Sequence, residues 1–440
     1  MTSVKKLKFL FLNDFYYPQP MPNGICLHRV AKELINAGYE VHVIAYKRNG
    51  NNISEYEGVK LHYIKMRLFY KLRTYGEANI NSLLGKLAIL IARPMNKIAK
   101  LFLLPRFPMA SPSTINRFYK KTVILHGKYN FDAVISLFNP EDTLFAGFRI
   151  KQQFPELKIG AYILDSLIFL SGKKKLPSFL KDKLSWRFEK MVYDQFDMVY
   201  NMECHRQHHR VKKYDPYRHK MIFLDTPLFS PRQLILEKKL FIKGKKHLVY
   251  MGTLFKSFRN PDYIYRLFEK VNENGEYNLH FYSRGDCESQ VMNYQNKSKG
   301  SVVRHGYVSH SEIDNIYSNA HYLINLGVSN STNISSKIFD YMSIGKPVIH
   351  FYYHDNDVNL TYFKKYELAL MIKMDEELFE ENANNLKLFL QKTYDKKVDS
   401  EKLAQTFYKN DPEYTARQFR RLAGALNSDE IEQPTETMAY

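Results

Sequence analysis

Short, wholly apolar runs alternate along this chain with stretches in which apolar positions recur every three to four residues. The runs predict strands at Lys8–Asn13, Glu40–Tyr46, Lys60–Ile64, Phe131–Phe138, Lys158–Leu164, Asp197–Met202 and Met221–Leu224. Between the first two, Leu27, Val30, Ala31 and Leu34 form an i, i+3, i+4, i+7 stripe closed by Gly38, so this is a βαβ unit with a long turn at Asp14–Gly24. From Thr226 to Lys246 the periodicity fades among lysines, Pro227, Pro231 and Gly244, which predicts a linker. A second rhythm follows, with strands at His247–Met251, Tyr277–Tyr282, Val302–Val303, His321–Leu326, Pro347–Tyr352 and Leu368–Met374. Its helices fall at Pro261–Asn274, Ser309–Ser318 and Ser336–Ile344, and the pattern turns helical from Glu376 through Tyr414–Leu426. The expected organisation is a first α/β domain over 1–228 with an insertion at about 66–118, and a linker at 229–246. A second α/β domain covers 247–395, followed by terminal helices at 396–426 and a disordered tail at 427–440. There is no internal repeat beyond the βα alternation and no low-complexity tract.

Length and composition agree with that division. A chain of 440 residues is too long for one ordinary domain, and 45% hydrophobic with 25% charged residues suits a globular protein with a full core. Cys26, Cys204 and Cys287 are scattered, without a C-x-x-C, which argues against a disulfide framework or structural zinc and fits a reducing compartment. The apolar run Leu7–Leu12 is too short for a signal peptide, and no stretch approaches the ~20 uncharged apolar residues of a membrane span.

The net charge of +20 is unevenly spread. Between Lys65 and Lys128 stand 13 Lys/Arg and one acid, Glu77, a local charge of +12. Within it, Leu87–Ala92 and Leu101–Leu104 are apolar clumps broken by Lys86, Arg93, Lys97 and Lys100, with Pro94 dividing two amphipathic pieces. Cations mixed with aliphatics and aromatics suit an anionic membrane surface at residues 66–118 rather than nucleic acid, for which no motif is present. The cationic tract from Lys173-Lys174-Lys175 to Lys190 can add to the same face; a packed helical insertion with solvated lysines is the plainer alternative.

The densest local signal is Ser335–Ile349, which reads SSKIFDYMSIGKPVI. Ser335 or Ser336 caps a short helix, Ile338, Phe339 and Met342 give it an apolar face, and Gly345 followed by Pro347 stops it before a buried strand. A helix N-terminus with free N–H groups and hydroxyls is an anion site. Lys337 adds charge, and Asp340, about one turn deeper, suits a vicinal diol. Phosphate at the helix end and ribose one turn in would describe a nucleotide-sugar site; an ordinary amphipathic helix has the same spacing.

This stretch resembles the donor-site motif of GT-B glycosyltransferases, particularly bacterial members similar to glycosyltransferase family 4 that assemble capsule, O-antigen or exopolysaccharide. The resemblance implies an α/β GT-B fold: two Rossmann-like doubly wound domains facing a cleft, with C-terminal helices crossing back. It implies a UDP-sugar or other nucleotide-sugar donor, a lipid-linked saccharide acceptor, no other cofactor and no metal, at the inner face of the cell membrane. The expected product retains configuration.

The same resemblance assigns roles residue by residue. In the first domain, Asp14 through Gly24 is similar to a loop facing the cleft, where Gly24 admits the donor diphosphate and Asp14 and His28 serve the acceptor; Gly24 as a plain turn residue and His28 as a surface helix residue remain the alternatives. Asp165 closes a strand, either as orienter or base for the acceptor hydroxyl or as the next helix's N-cap. In the second domain Gly252 follows the first strand, and the usual cation after it is replaced by Thr253, leaving Arg259 or Lys256 to hold the diphosphate. Arg284, Tyr307 and Val308 border the base pocket. Asp340 stands as the second acid of an E-x7-E pair, whose first position is Thr332. Asp355-Asn356-Asp357 spells a D-x-D but lies after a strand, where a helix cap explains it. A non-hydrolysing sugar-nucleotide 2-epimerase and a non-catalytic membrane-associated protein on a degenerate GT-B fold are the competing readings, the latter supported by Thr253 and Thr332.

Overall fold

In a computed structural model of the chain, residues 6–48, 53–80, 82–103, 110–138, 140–164, 178–231, 234, 236–309, 312–329 and 334–425 are described. Asp165, Lys173–Lys175, Thr332 and the expected tail lie outside them. The chain divides into two compact units, one from Met1–Pro227 together with the chain from Lys409, the other from Leu228–Tyr408.

The first unit is built on β1 (Lys8–Leu12), β2 (Glu40–Tyr46), β3 (Glu55–Tyr56), β4 (Val59–Ile64), β5 (Ala133–Phe138), β6 (Lys158–Ile163), β7 (Met198–Met202) and β8 (Met221–Leu224). They pair in the order β3-β4-β2-β1-β5-β6-β7-β8, parallel throughout except for β3 on β4. The helices are α1 (Pro22–Asn36), α2 (Leu68–Ala78), α3 (Leu83–Leu103), α4 (Pro112–Tyr129), α5 (Glu141–Gln153) and α6 (Ser178–Gln195). Apolar cores cover both faces of the sheet, which is why strands such as β1 (KFLFL) and β5 (AVISLF) are apolar along their length instead of alternating.

The second unit has β9 (Lys246–Leu254), β10 (Tyr277–Gly285), β11 (Val302–Arg304), β12 (Tyr322–Leu326), β13 (Val348–Tyr352) and β14 (Ala369–Lys373). All are parallel, in the order β11-β10-β9-β12-β13-β14. Its helices are α7 (Asp262–Val271), α8 (Glu288–Lys297), α9 (Ile313–Asn319), α10 (Ser336–Ser343), α11 (Leu360–Phe363), α12 (Phe379–Thr393) and α13 (Ser400–Thr406). The strand order reverses between β9 and β12 here, and between β1 and β5 in the first unit. Open parallel sheets bind ligands outside the carboxyl ends of their strands at such points.

α13 lies against α10 in the second unit, where Val398 N–H donates to the Gly345 carbonyl at 2.9 Å. The last helix, α14 (Pro412–Leu422), is capped by Asp411 accepting from the Glu413 N–H, and it belongs to the first unit. There Phe419 meets Phe11, Tyr162 and Tyr200 at 5.7, 5.3 and 4.9 Å between ring centres, and Tyr200 donates to the Gln418 carbonyl at 3.0 Å.

One boundary changes the candidate site. Gly252 was expected just past its strand, but β9 continues through Gly252 and Thr253 to Leu254. β10 is long enough to pair Ser283 with Gly252, Arg284 with Thr253 and Gly285 with Leu254, and this pairing holds the extra residues extended.

Candidate functional site

At the carboxyl end of β9 the chain folds back on itself. Phe255 N–H donates to the Arg259 carbonyl at 3.1 Å and Arg259 N–H to the Phe255 carbonyl at 2.9 Å, closing a small loop in which Phe255 and Phe258 stack at 4.6 Å. Ser329 N–H donates to the Phe258 carbonyl at 3.0 Å, and Asn260 N–H donates to the Tyr353 hydroxyl at 3.2 Å, so neighbouring segments fix the loop. Arg259 is therefore held by its backbone, while its buried Nε has no hydrogen-bond partner. A guanidinium N–H left in that state is a costly feature unless an acceptor occupies the site.

α10 supplies the second cation. Ile338, Phe339 and Met342 are fully buried and Tyr341 nearly so, which leaves Lys337 and Asp340 along its half-buried edge. Lys337 Nζ donates to the Met251 carbonyl at 2.9 Å, and the Tyr341 hydroxyl reaches the same oxygen at 3.3 Å. A Cβ on Gly252 would lie 2.9 Å from both Lys337 Nζ and the Tyr250 hydroxyl, so a larger residue there would press on the ammonium. Burial lowers the Lys337 pKa to about 8; the nearby Arg259 and Arg284 charges push it the same way, and Asp340 opposes them. Arg284, exposed at the end of β10, lies 4.9 Å from the Tyr307 ring centre, while Val308 is half-buried. The second unit thus gathers Gly252, Thr253, Arg259, Arg284, Lys337 and Asp340 around the end of β9, with three cations to one carboxylate.

The N-terminus of α10 is anchored by residues that sequence reasoning assigned no site role. Ser335 makes no side-chain cap; its N–H donates instead to Asn359 Oδ1 at 2.9 Å. Asp357 Oδ1 accepts from the Asn359 N–H at 2.8 Å and from its side-chain amide at 2.6 Å, and His350 Nε2 stands 3.5 Å from Asp357 Oδ2. His350 Nδ1 is 2.8 Å from Asn325 Nδ2. This buried polar chain accounts for half of the D-x-D: Asp357 braces the helix start, and Asp355 pairs with Lys373 at 2.7 Å. Among the described residues no group of three His, Cys, Asp or Glu is placed to hold a metal ion.

The first-unit candidates lie after β1 and on α1. Burial raises the Asp14 carboxyl to about 7, against the Phe15 N–H that donates to Oδ1 at 2.6 Å and the charge of Arg48. Gly24 is crowded by its own loop: a Cβ there would collide with the Phe15 carbonyl oxygen, which by itself explains the glycine. His28 is not a surface helix residue. It is buried, with Nδ1 2.8 Å from the Tyr16 hydroxyl, Nε2 3.5 Å from Glu57, and Tyr17 and Tyr56 rings at 4.4 and 5.3 Å. Burial lowers its pKa, with Glu57 opposing.

Two Rossmann-like units with ligand-type switch points define the fold class, and known structures agree. The chain is similar to the Anabaena HepE structure in complex with UDP (TM-score 0.59, 13% identity, 96% of this chain and 100% of that one). It is also similar to a glycosyltransferase from Rickettsia africae (TM-score 0.57, 11% identity, covering 96% and 98%). The lipopolysaccharide outer core galactosyltransferase WaaB in its apo form is a third (TM-score 0.55, 10% identity, covering 95% and 99%). The fold is GT-B. Residues 245–360, which hold the cation cluster and α10, match the family model described as Glycosyl transferases group 1. No curated protein matches the chain by sequence.

Proposed function

We propose that this chain is a glycosyltransferase that moves a sugar from a nucleoside diphosphate sugar, a UDP-sugar, to a hydroxyl of a lipid-linked glycan in cell-surface polysaccharide assembly. The observation that carries this reading is the cluster of Arg259, Lys337 and Arg284 at the end of β9, with one guanidinium N–H unpartnered and one ammonium brought to about 8. Such a cluster is matched by a bound polyanion, and a diphosphate leaving group takes up charge as its bond to the anomeric carbon breaks. The acceptor oxygen forms the new bond to that carbon from the face that the diphosphate leaves, as retention requires, and its proton goes to the departing phosphate oxygen. Asp14, raised by burial to about 7, and Asp165 are the first-unit carboxylates proposed to serve the acceptor. Asp340 takes the ribose diol, and Tyr307, Val308 and Arg284 border the base. The match over residues 245–360 supports glycosyl transfer, and the UDP in the HepE structure supports uracil as the base. The proposed reaction retains configuration, needs no metal, and takes place at the cytoplasmic face of the membrane.

Calorimetric titration of the full chain with UDP, GDP and ADP tests the donor, followed by product analysis with a UDP-sugar and a prenyl-linked acceptor. Binding of UDP and transfer of label into the lipid fraction are expected. Failure to bind any nucleoside diphosphate would sink the reading, and a free 2-epimer of the sugar nucleotide as sole product would replace it with epimerisation. Asn359→Ala should weaken UDP binding about tenfold, because the Ser335 N–H loses its acceptor and the helix start its brace. Wild-type affinity in that variant would show that the polar chain does not position the donor.

A further inference from the structure

The first unit carries a surface that the donor chemistry does not use. α2 and α3 form a helical hairpin joined through Asn79 and Ser82, where Ser82 N–H donates to the Asn79 carbonyl at 2.9 Å and Ser82 Oγ accepts from Gly85 N–H at 2.9 Å. α3 is inside out for a helix in water. Gly85, Ala88 and Ala92 are its buried residues up to position 95, and Ile89 meets α2 at Gly76. Its large aliphatics point away: Leu83 is 88% exposed, Leu84 65%, Leu87 50%, Leu90 64% and Ile91 44%. At 100° per residue these five fall on one stripe about 120° wide, opposite the small residues. Leu68 and Ile80 add further exposed aliphatic surface on the same hairpin. Lys86 and Arg93 flank one edge of the stripe and are exposed, and the hairpin's acid, Glu77, is paired with Arg73 at 2.7 Å.

We propose that this hairpin is an interfacial lipid anchor, with Leu83, Leu84, Leu87, Leu90 and Ile91 entering the acyl layer of an anionic bilayer while Lys86 and Arg93 sit among the phosphates. The inference deepens the membrane placement proposed above, naming the side chains that insert, and does not depend on the donor site. Large contiguous aliphatic stripes are covered in some state of a protein. A second copy of the chain is a poor cover, because pairing the two hairpins would bring a segment of charge +5 (residues 68–103) against its own image. An anionic surface answers both the aliphatic stripe and the charge. No helix among the described residues is long and apolar enough to cross a membrane, so the stripe lies along the interface.

Co-sedimentation of the full chain with vesicles of phosphatidylcholine alone and of equimolar phosphatidylcholine and phosphatidylglycerol tests this. Binding is expected on the mixed vesicles, and the combined variant Leu83→Ser, Leu87→Ser, Leu90→Ser should lower the partition coefficient about 100-fold with thermal unfolding unchanged. Lys86→Gln with Arg93→Gln should reduce the preference for phosphatidylglycerol. In a Trp186→Phe background, which removes the chain's one tryptophan, Leu87→Trp should be quenched by lipids brominated in the acyl chains. Unchanged partitioning of the serine variant, or a tryptophan untouched by the brominated lipid, would overturn insertion. A lipid-free dimer that the serine variant converts to monomer would overturn it too, by making the face a subunit interface. Because UDP titration is done without vesicles, failure here leaves the donor reading standing, and the reverse also holds.

Discussion

Replacing Arg259 with alanine should lower kcat about 100- to 1,000-fold, the scale on which a single fixed donor to a developing anion is felt, while the thermal unfolding transition stays where it is. Both halves follow from the same geometry. The loop that carries Arg259 is held by backbone hydrogen bonds to Phe255, by Ser329 on the Phe258 carbonyl and by Tyr353 on Asn260, none of which needs the guanidinium. The side chain's buried Nε meanwhile makes no hydrogen bond that alanine would remove. Arg259→Lys should recover only part of the rate, since an ammonium is a point charge and cannot bind a phosphate through a planar fork. Steady-state kinetics beside a melting curve decide the matter. Activity within threefold of the wild type would take Arg259 out of the site, and a collapsed melting transition would mean that the residue is structural.

Donor affinity should also fall as pH rises above 8, approaching tenfold per pH unit, because Lys337 must be charged to meet a diphosphate. Burial and two neighbouring guanidinium groups bring its pKa from 10.5 to about 8 in the folded chain. Between those two values the unfolded chain holds more protons than the folded one, so Lys337 makes stability rise with pH across that window while binding weakens. Bound diphosphate reverses the local charge balance and restores the proton. Titrations above pH 8 in buffers of different ionisation enthalpy should therefore report proton uptake on binding. Lys337→Met should weaken binding about 10- to 100-fold and abolish the uptake. A wild-type affinity that is flat from pH 7 to 9.5 would show that another group carries the charge.

Much of the scaffold could be read from the chain because it depends on short-range pattern. Strands buried on both faces announce themselves as unbroken apolar runs, and α10 carries its own apolar face and its stop at Gly345 within ten residues. The misreadings have one origin, contacts between residues far apart in sequence. The surface reading of His28 fails because Tyr56, on a two-residue strand too short to show a period, and Glu57, just after that strand, pack against it. Gly252 seemed to begin a loop because nothing near it reveals that β10 extends to Gly285. Asp357 was legible as a cap, since its Oδ1 accepts from the Asn359 N–H just before the next helix, but not that the same oxygen holds the Asn359 amide whose oxygen meets Ser335, 24 residues back. The period of α3 was visible, but not that its small side would be the buried one.

The sequence alone determined two α/β units, the helix Ser336–Ser343 with Lys337 and Asp340 on a shared edge, and a basic segment rich in aliphatics, since each follows from spacing within a few turns or strands. Only the tertiary structure decided that Arg259 and Arg284 stand by that lysine, that its start rests on Asn359, and that leucines rather than alanines face outward on α3. Those outcomes are set by strand register and by helix-to-helix approach, which depend on which distant residues can fill the same space.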